Sequence, residues 1–261
     1  MTVGELARNA PLFFLIFARV FALIQTAPLL SSDAIPEIAK IALAFLVSML
    51  IFPSVSASGY PIPPYVLQYV LLLLGEAFVG ILVGFFLSMI YSGFQLAGQY
   101  YAFQMGFGAS EVFDPLAEIE IPIMGQFLNL IAMLIFLLGS GFQKIFLIGV
   151  YQSYKAFKAI DLVTRRDHIF PFLFQGMTYL FQQSLVLSFP ILGALFLVSL
   201  TLGLFAKAAP QMNLLMMGFP ISIGVAFLIL FVSLPFLVEL FSAVIDFSFL
   251  EVERIWASPS R

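Results

Sequence analysis

Long apolar runs separated by short polar links set the pattern of this chain. Residues 41–75, 77–110, 121–143, 169–206 and 208–238 contain no Asp, Glu, Lys or Arg, and roughly 20 apolar residues suffice to cross a bilayer as a helix. Such runs far exceed the roughly 10-residue alternating segments of an outer-membrane barrel, so the pattern predicts helices. A first helix is expected over about 11–28, then the link SSDAIPEIAK and a second helix stopping near Phe52. The next link, PSVSASGYPIPP, is a strong breaker with its four prolines and a glycine. A third segment runs from about Tyr65 past Tyr91, where Gln95, Gln99 and Gln104 make one side polar. After an acidic stretch come an apolar segment over 121–150 and a mixed-charge segment over 151–168. Two apolar arms, 169–206 and 212–250, joined by KAAPQMN, read as a hairpin.

The arms are too long for one straight crossing. Thirty-eight residues of helix measure about 57 Å, against a hydrocarbon core of about 30 Å. Either the first arm breaks near Pro190 and Gly193, or it continues beyond the lipid against protein neighbours that cover its apolar surface; Pro220 and Pro235 mark the second arm in the same way. Both options imply a protein shaped by partners.

Composition agrees and removes several classes of function. Of 261 residues, 62% are hydrophobic and 10% charged, against roughly 45–50% and about 25% in a soluble domain. The fold class expected is an all-α, multi-helix integral membrane protein of long, broken helical hairpins. A net charge of −3 gives no footprint for nucleic acid. Cysteine is absent and histidine occurs once, at His168, so disulfides and thiolate zinc sites are excluded; no metal and no cofactor is expected. The first helix reads as retained rather than as a signal peptide, because Glu5 and Arg8 cancel and Arg19 interrupts the apolar run. The sequence contains no P-loop, HExxH or Ser/His/Asp set, so no enzyme is expected.

Two charges within the apolar segments stand out. Arg19 lies nine residues into the first helix, where an unpaired cation costs about 2.5–3.5 kcal/mol, and Glu76, the acid nearest to it in the apolar segments, is its candidate partner. Arg19 serves either a structural pairing or a transport path. Glu76 also begins a stripe with Gly80, Gly84 and Ser88 at i, i+4 spacing, one face of a helix, and GILVG within it suits close approach of another helix. The stretch QMGFGASEVFDPLAEIEIP gathers Glu111, Asp114, Glu118 and Glu120 without a cation. Four like charges cannot lie in lipid, so they must meet water, a lumen or cationic groups. Gly106 and Gly108 give backbone freedom at its entry, and Asp114–Pro115 favours a turn.

Several blocks together resemble the FliR family of flagellar and type III secretion export proteins. They are RVFALIQTAPLL with Arg19; GEAFVGILVGF with Glu76, Gly80 and Gly84; AGQYYAFQMGFG with Gly98, Gln104 and Gly106, followed by FDP at 113–115; and LFAKAAPQMNLLMMGFPI with Ala209, Pro210, Gln211, Asn213, Gly218 and Pro220, where Lys207 departs from the arginine frequent in the family. The resemblance implies a core subunit of the flagellar protein export gate in the bacterial inner membrane, at the flagellar basal body. Its partners would be FliP and FliQ in a helical complex, with FlhB and FlhA nearby, and its substrates unfolded flagellar proteins passing through the centre. It implies a FliP-like region over 1–168 and a FliQ-like hairpin over 169–261, with Lys207, Pro210, Gln211 and Asn213 at the turn. It further implies that the loop over 106–120 plugs the pore, with Gly106, Phe107, Gly108, Glu111, Phe113, Asp114, Pro115, Glu118 and Glu120, and that Gly80, Gly84 and Gly98 pack helices. A second reading from the residues is a secondary transporter with Arg19 and Glu76 at a midplane site. Positive-inside counting puts 151–168 in the cytoplasm, whereas the resemblance puts KAAPQMN there; one crossing cannot do both, and the hairpin is the preferred assignment.

Overall fold

The computed structural model describes residues 9–57, 59–106, 123–156, 158–159, 166–209, 211 and 214–257. Helices account for nearly all of them, and among the described residues no strand forms. In chain order they are α1 (Ala10–Thr26), α2 (Glu37–Ala57), α3 (Val66–Met105), α4 (Ile123–Leu138), α5 (Gly141–Lys144), a π-helix (Ile145–Gln152), α6 (Ser153–Ala156), α7 (Arg166–Ala208) and α8 (Leu214–Ala257). Four are long and apolar enough to cross a membrane, within α2, α3, α7 and α8, and a fifth is counted if α4 and the segment after it form one bent span. The chain is a multi-pass helical membrane protein.

Local chemistry explains the helix ends. Pro11 sits in the first turn of α1, where its missing N–H costs nothing. Pro28 forces Ala27 into extended backbone, and the Ala27 N–H closes the last turn on Leu23. Two expectations change. The second helix does not stop near Phe52; it runs through Pro53 to Ala57, because Ile51, Phe52 and Val55 are all buried and their packing holds the turn across the lost hydrogen bond. The apolar segment 121–150 is not continuous: α4 closes with the Gly139 N–H on Ile135, and Ser140 takes a left-handed φ of 57°. Of the two courses open to the arms, the unbroken one is found. Helix α7 carries Pro190 and Gly193 in its interior, and α8 carries Pro220 and Pro235. Spans of 43 and 44 residues correspond to about 65 Å of helix.

The chain divides into two compact units, and α3, α7 and α8 each contribute residues to both. The first comprises residues 1–90, 140–177 and 245–261. Its core gathers Leu15, Ile16, Val20 and Leu23 of α1, and the Phe13 ring packs edge-on against Phe45 at 5.3 Å. Phe86 stacks on Phe172 at 3.9 Å, with Gly176 one turn on; a Cβ there would lie 2.6 Å from the Phe86 ring. Lys144 pairs with Asp246 at 2.6 Å. The second unit comprises residues 91–139 and 178–244. There α3 and α4 cross at two glycines, since a Cβ on Gly98 would stand 2.5 Å from the Gly125 Cα. The Tyr91 hydroxyl donates to the Asn129 carbonyl at 3.1 Å, and Phe94 lies 4.3 Å from Phe241.

Candidate functional site

The first unit is built around Arg19. A 17-residue helix with a guanidinium at its middle needs that charge neutralised, and α3 supplies the carboxylate: Arg19 Nε donates to Glu76 Oε2 at 2.6 Å, and both side chains are 0% exposed. Arg19 Nη1 donates to the Ser153 hydroxyl at 2.9 Å, which in turn donates to the Val150 carbonyl. The guanidinium lies 3.8 Å from the centre of the Tyr154 ring, a cation–π contact in a fully desolvated setting. Glu76 Oε1 accepts from the Tyr60 hydroxyl and, at 3.1 Å, from the Ala159 N–H. The carboxylate thus accepts from a guanidinium, a phenol and an amide. Tyr60 lies in the link between α2 and α3; burial, reinforced by the Glu76 charge, holds its phenol well above the usual range, so it remains a donor at physiological pH.

The stripe that begins at Glu76 explains how α3 comes so near. A Cβ on Gly80 would collide with the Arg19 carbonyl, and one on Gly84 would overlap the Thr26 hydroxyl and sit 2.9 Å from the Ala27 nitrogen. Ser88 completes the row by donating to the Thr26 carbonyl at 2.5 Å. All four residues of the i, i+4 row touch α1, so the spacing that marks a packing face also delivers the counter-ion. On another side of α1, Gly149 of the π-helix would bring a Cβ within 3.0 Å of Leu23, and the Tyr154 hydroxyl donates to the Leu15 carbonyl at 3.2 Å. A π-helix takes more residues per turn than an α-helix and so re-aims the residues that follow it. Here those are Ser153 and Tyr154. Gly84→Val should lower the melting temperature sharply, on the order of 3 kcal/mol, because the clash is with backbone. Gly193→Ala, where nothing stands within 4 Å, should be neutral or slightly stabilising. Thermal unfolding of the two purified variants checks the contrast.

The other sequence-derived positions scatter. Gly106 ends α3 with a φ of 91°, and a Cβ there would run into the Phe219 ring of α8. Phe107, Gly108, Glu111, Phe113, Asp114, Pro115, Glu118 and Glu120 lie outside the described residues, as do Pro210 and Asn213. Lys207 lies in the last turn of α7, and Gln211 is exposed. Sequence reasoning missed Tyr60, Ser153, Tyr154 and the Ala159 amide. Tyr60 sits in a link read only as a breaker, and Ser153 and Tyr154 in a segment read only as mixed charge. It also missed Lys40, which is 2% exposed to solvent and held by Glu37 at 2.9 Å, by Gln25 and by the Ser31 carbonyl. Among the described residues, no cluster of His, Cys, Asp or Glu could hold a metal ion.

A helical, multi-pass chain whose first helix is held by a sealed ion pair is an integral membrane protein. Residues 10–247 match the model of the bacterial export proteins, family 1. The chain is 31% identical over 234 residues to flagellar biosynthetic protein FliR of Bacillus subtilis, covering 85% of each. It is 30% identical to that of Borreliella burgdorferi, covering 89% of this chain and 86% of the relative, and 28% identical to that of Escherichia coli, covering 90% of each. This chain belongs to the FliR family of bacterial export proteins.

Proposed function

We propose that this chain is a channel-forming subunit of the flagellar protein export gate, assembled with FliP and FliQ, and with FlhB and FlhA nearby, in the bacterial inner membrane at the flagellar basal body. Unfolded flagellar proteins pass through the assembly, and the acidic loop over 106–120 plugs the path until export begins. The FliP-like region is 1–168 and the FliQ-like hairpin 169–261.

The observation that carries this reading is the unbroken length of α7 and α8. Helices of 43 and 44 residues, about 65 Å long, overrun an apolar layer of about 30 Å by a factor of two. Their exposed residues nonetheless remain apolar along most of that length, from Phe174 and Phe181 to Leu204 on α7 and from Met216 to Leu250 on α8. Apolar surface beyond the reach of lipid needs protein to cover it, and a ring of related subunits provides that. The four carboxylates of the loop, with no cation in the same stretch of sequence, fit a water-filled path better than a packed interior.

The transporter reading draws on the same ion pair, and the pair's geometry weighs against it. A midplane transport site needs a face open to its solute, whereas Arg19 and Glu76 are 0% exposed and bonded into α1, α3, α6 and the Tyr60 link. Co-expression separates the two. Tagged chain made together with FliP and FliQ should purify as a stoichiometric complex, and chain made alone should be recovered at least about tenfold less. Full recovery of the isolated chain with solute uptake in vesicles would reverse the ranking.

A further inference from the structure

One end of the first unit carries tyrosines and lysines in an order that has no role in the export reading. The link between α2 and α3 holds Tyr60 and Tyr65, and Tyr69 follows one turn later. Tyr69 anchors this end to the start of α1 by donating to the Pro11 carbonyl at 2.9 Å. The end of the π-helix adds Tyr151, whose hydroxyl bonds to Ser54 near the end of α2 and to Lys155. Two lysines lie beside these rings: Lys155 Nζ stands 4.4 Å from the Tyr151 ring centre, and Lys158 Nζ 5.6 Å from that of Tyr60. The Ala159 amide bond to Glu76 fixes the backbone beside Lys158. Tyr65 is 69% exposed, and directly beyond it along α3 come Val66 at 79%, Leu67 at 72%, then Leu71 and Leu74, all exposed and all apolar.

Cations, then amphipathic rings, then bare aliphatic surface is the sequence of environments met on passing from headgroup into hydrocarbon. Tyrosine is enriched at that boundary because its ring tolerates the acyl region while its hydroxyl stays wet, and a basic residue is drawn to an anionic leaflet. We propose that this end of the first unit is a membrane-boundary belt, in which Lys155 and Lys158 bind the phosphates of anionic phospholipids and Tyr65, Tyr69 and Tyr151 set the depth. The cation–π contacts hold Lys155 beside the Tyr151 ring and Lys158 beside the Tyr60 ring. An acidic segment of a partner protein would satisfy the lysines equally well. It would not account for the exposed aliphatic surface that begins at Val66, which lipid covers and an acidic peptide does not. The proposal is independent of the plug and of the identity of the partners.

The chain contains no cysteine, which makes a single-label test clean. Nitroxide labels at Tyr65→Cys and Leu74→Cys are introduced into the full chain within its complex, with the other subunits freed of cysteine. The complex is then reconstituted into vesicles of phosphatidylcholine with or without phosphatidylglycerol. The label at 65 should report the phosphate level, and the label at 74 should lie about 13 Å deeper, nine residues at 1.5 Å each. A phosphatidylglycerol probe should bind severalfold better than a phosphatidylcholine probe, and Lys155→Gln with Lys158→Gln should remove that preference without changing either depth. A label at 65 in bulk water beyond the headgroups, a preference that survives the double substitution, or protection of position 65 that depends on a partner subunit rather than on lipid would overturn the proposal.

Discussion

Arg19→Ala should reduce the amount of folded, assembled protein by an order of magnitude or more while leaving export per assembled complex close to normal. Removing one member of a buried pair leaves the other charge without compensation, a loss of about 3–5 kcal/mol. Glu76 would keep the Tyr60 hydroxyl and the Ala159 amide but lose its counter-charge, and Ser153 would lose its donor. Glu76→Gln should be comparably severe because it strands a guanidinium with no exposure to water. Arg19→Lys should recover only part of the yield, since an ammonium cannot aim Nε at Glu76 and Nη1 at Ser153 together. Replacing both charges with methionine should do better than either single alanine, although Ser153, Tyr60 and the Ala159 amide then lose partners. Complex yield and export rate, measured on the same preparations, decide the matter. Normal yield with lost export would move Arg19 from the scaffold to the transport path.

Deleting residues 107–119 should leave assembly intact and make the membrane permeable to small solutes. The deletion removes Glu111, Asp114 and Glu118 and spares the helices on either side, α3 ending at Met105 and α4 beginning at Ile123. The α3–α4 crossing at Gly98 and Gly125 lies outside the deleted stretch, so the packing of the second unit should hold. Dye or ion flux from cells making the truncated chain, normalised to complex recovered, gives the readout. A tight membrane with full assembly would place the closure in another subunit.

The two outcomes separate a scaffold role from a gating role within one chain. The Arg19 cluster is dry and bonded to several segments at once, the environment in which charge confers rigidity. The loop has acids without nearby cations in sequence, an environment in which repulsion opposes permanent packing. In the first unit Arg19 fixes α1 to α3 and to the segment after the π-helix, so export-linked motion is not expected there.

Reading the sequence went furthest where a pattern was periodic or a charge was unaffordable. The apolar runs gave the helices and the class, and the Glu76, Gly80, Gly84, Ser88 spacing gave a packing face that does receive another helix. Arg19 needed a partner in any arrangement, because an unpaired guanidinium within an apolar segment is too costly, and Glu76 was the nearest acid in those segments. Helix ends were harder. Pro53 suggested a stop that did not form, because one lost hydrogen bond is outweighed by the burial of Ile51, Phe52 and Val55, and Pro190, Pro220 and Pro235 lie within continuous helices. Gly139–Ser140–Gly141 marked a break that an apolar count passed over.

Sequence alone therefore determined that the chain is helical, lives in a membrane and must neutralise Arg19, since each follows from the cost of moving polar groups out of water. Tertiary structure decided who neutralises it. Tyr60, Ser153, Tyr154 and the Ala159 amide lie 41 to 140 residues from Arg19, and neither a periodicity nor a motif connects positions so far apart. They meet because α3 can touch α1 through glycines and because the π-helix turns the residues behind it towards the same point.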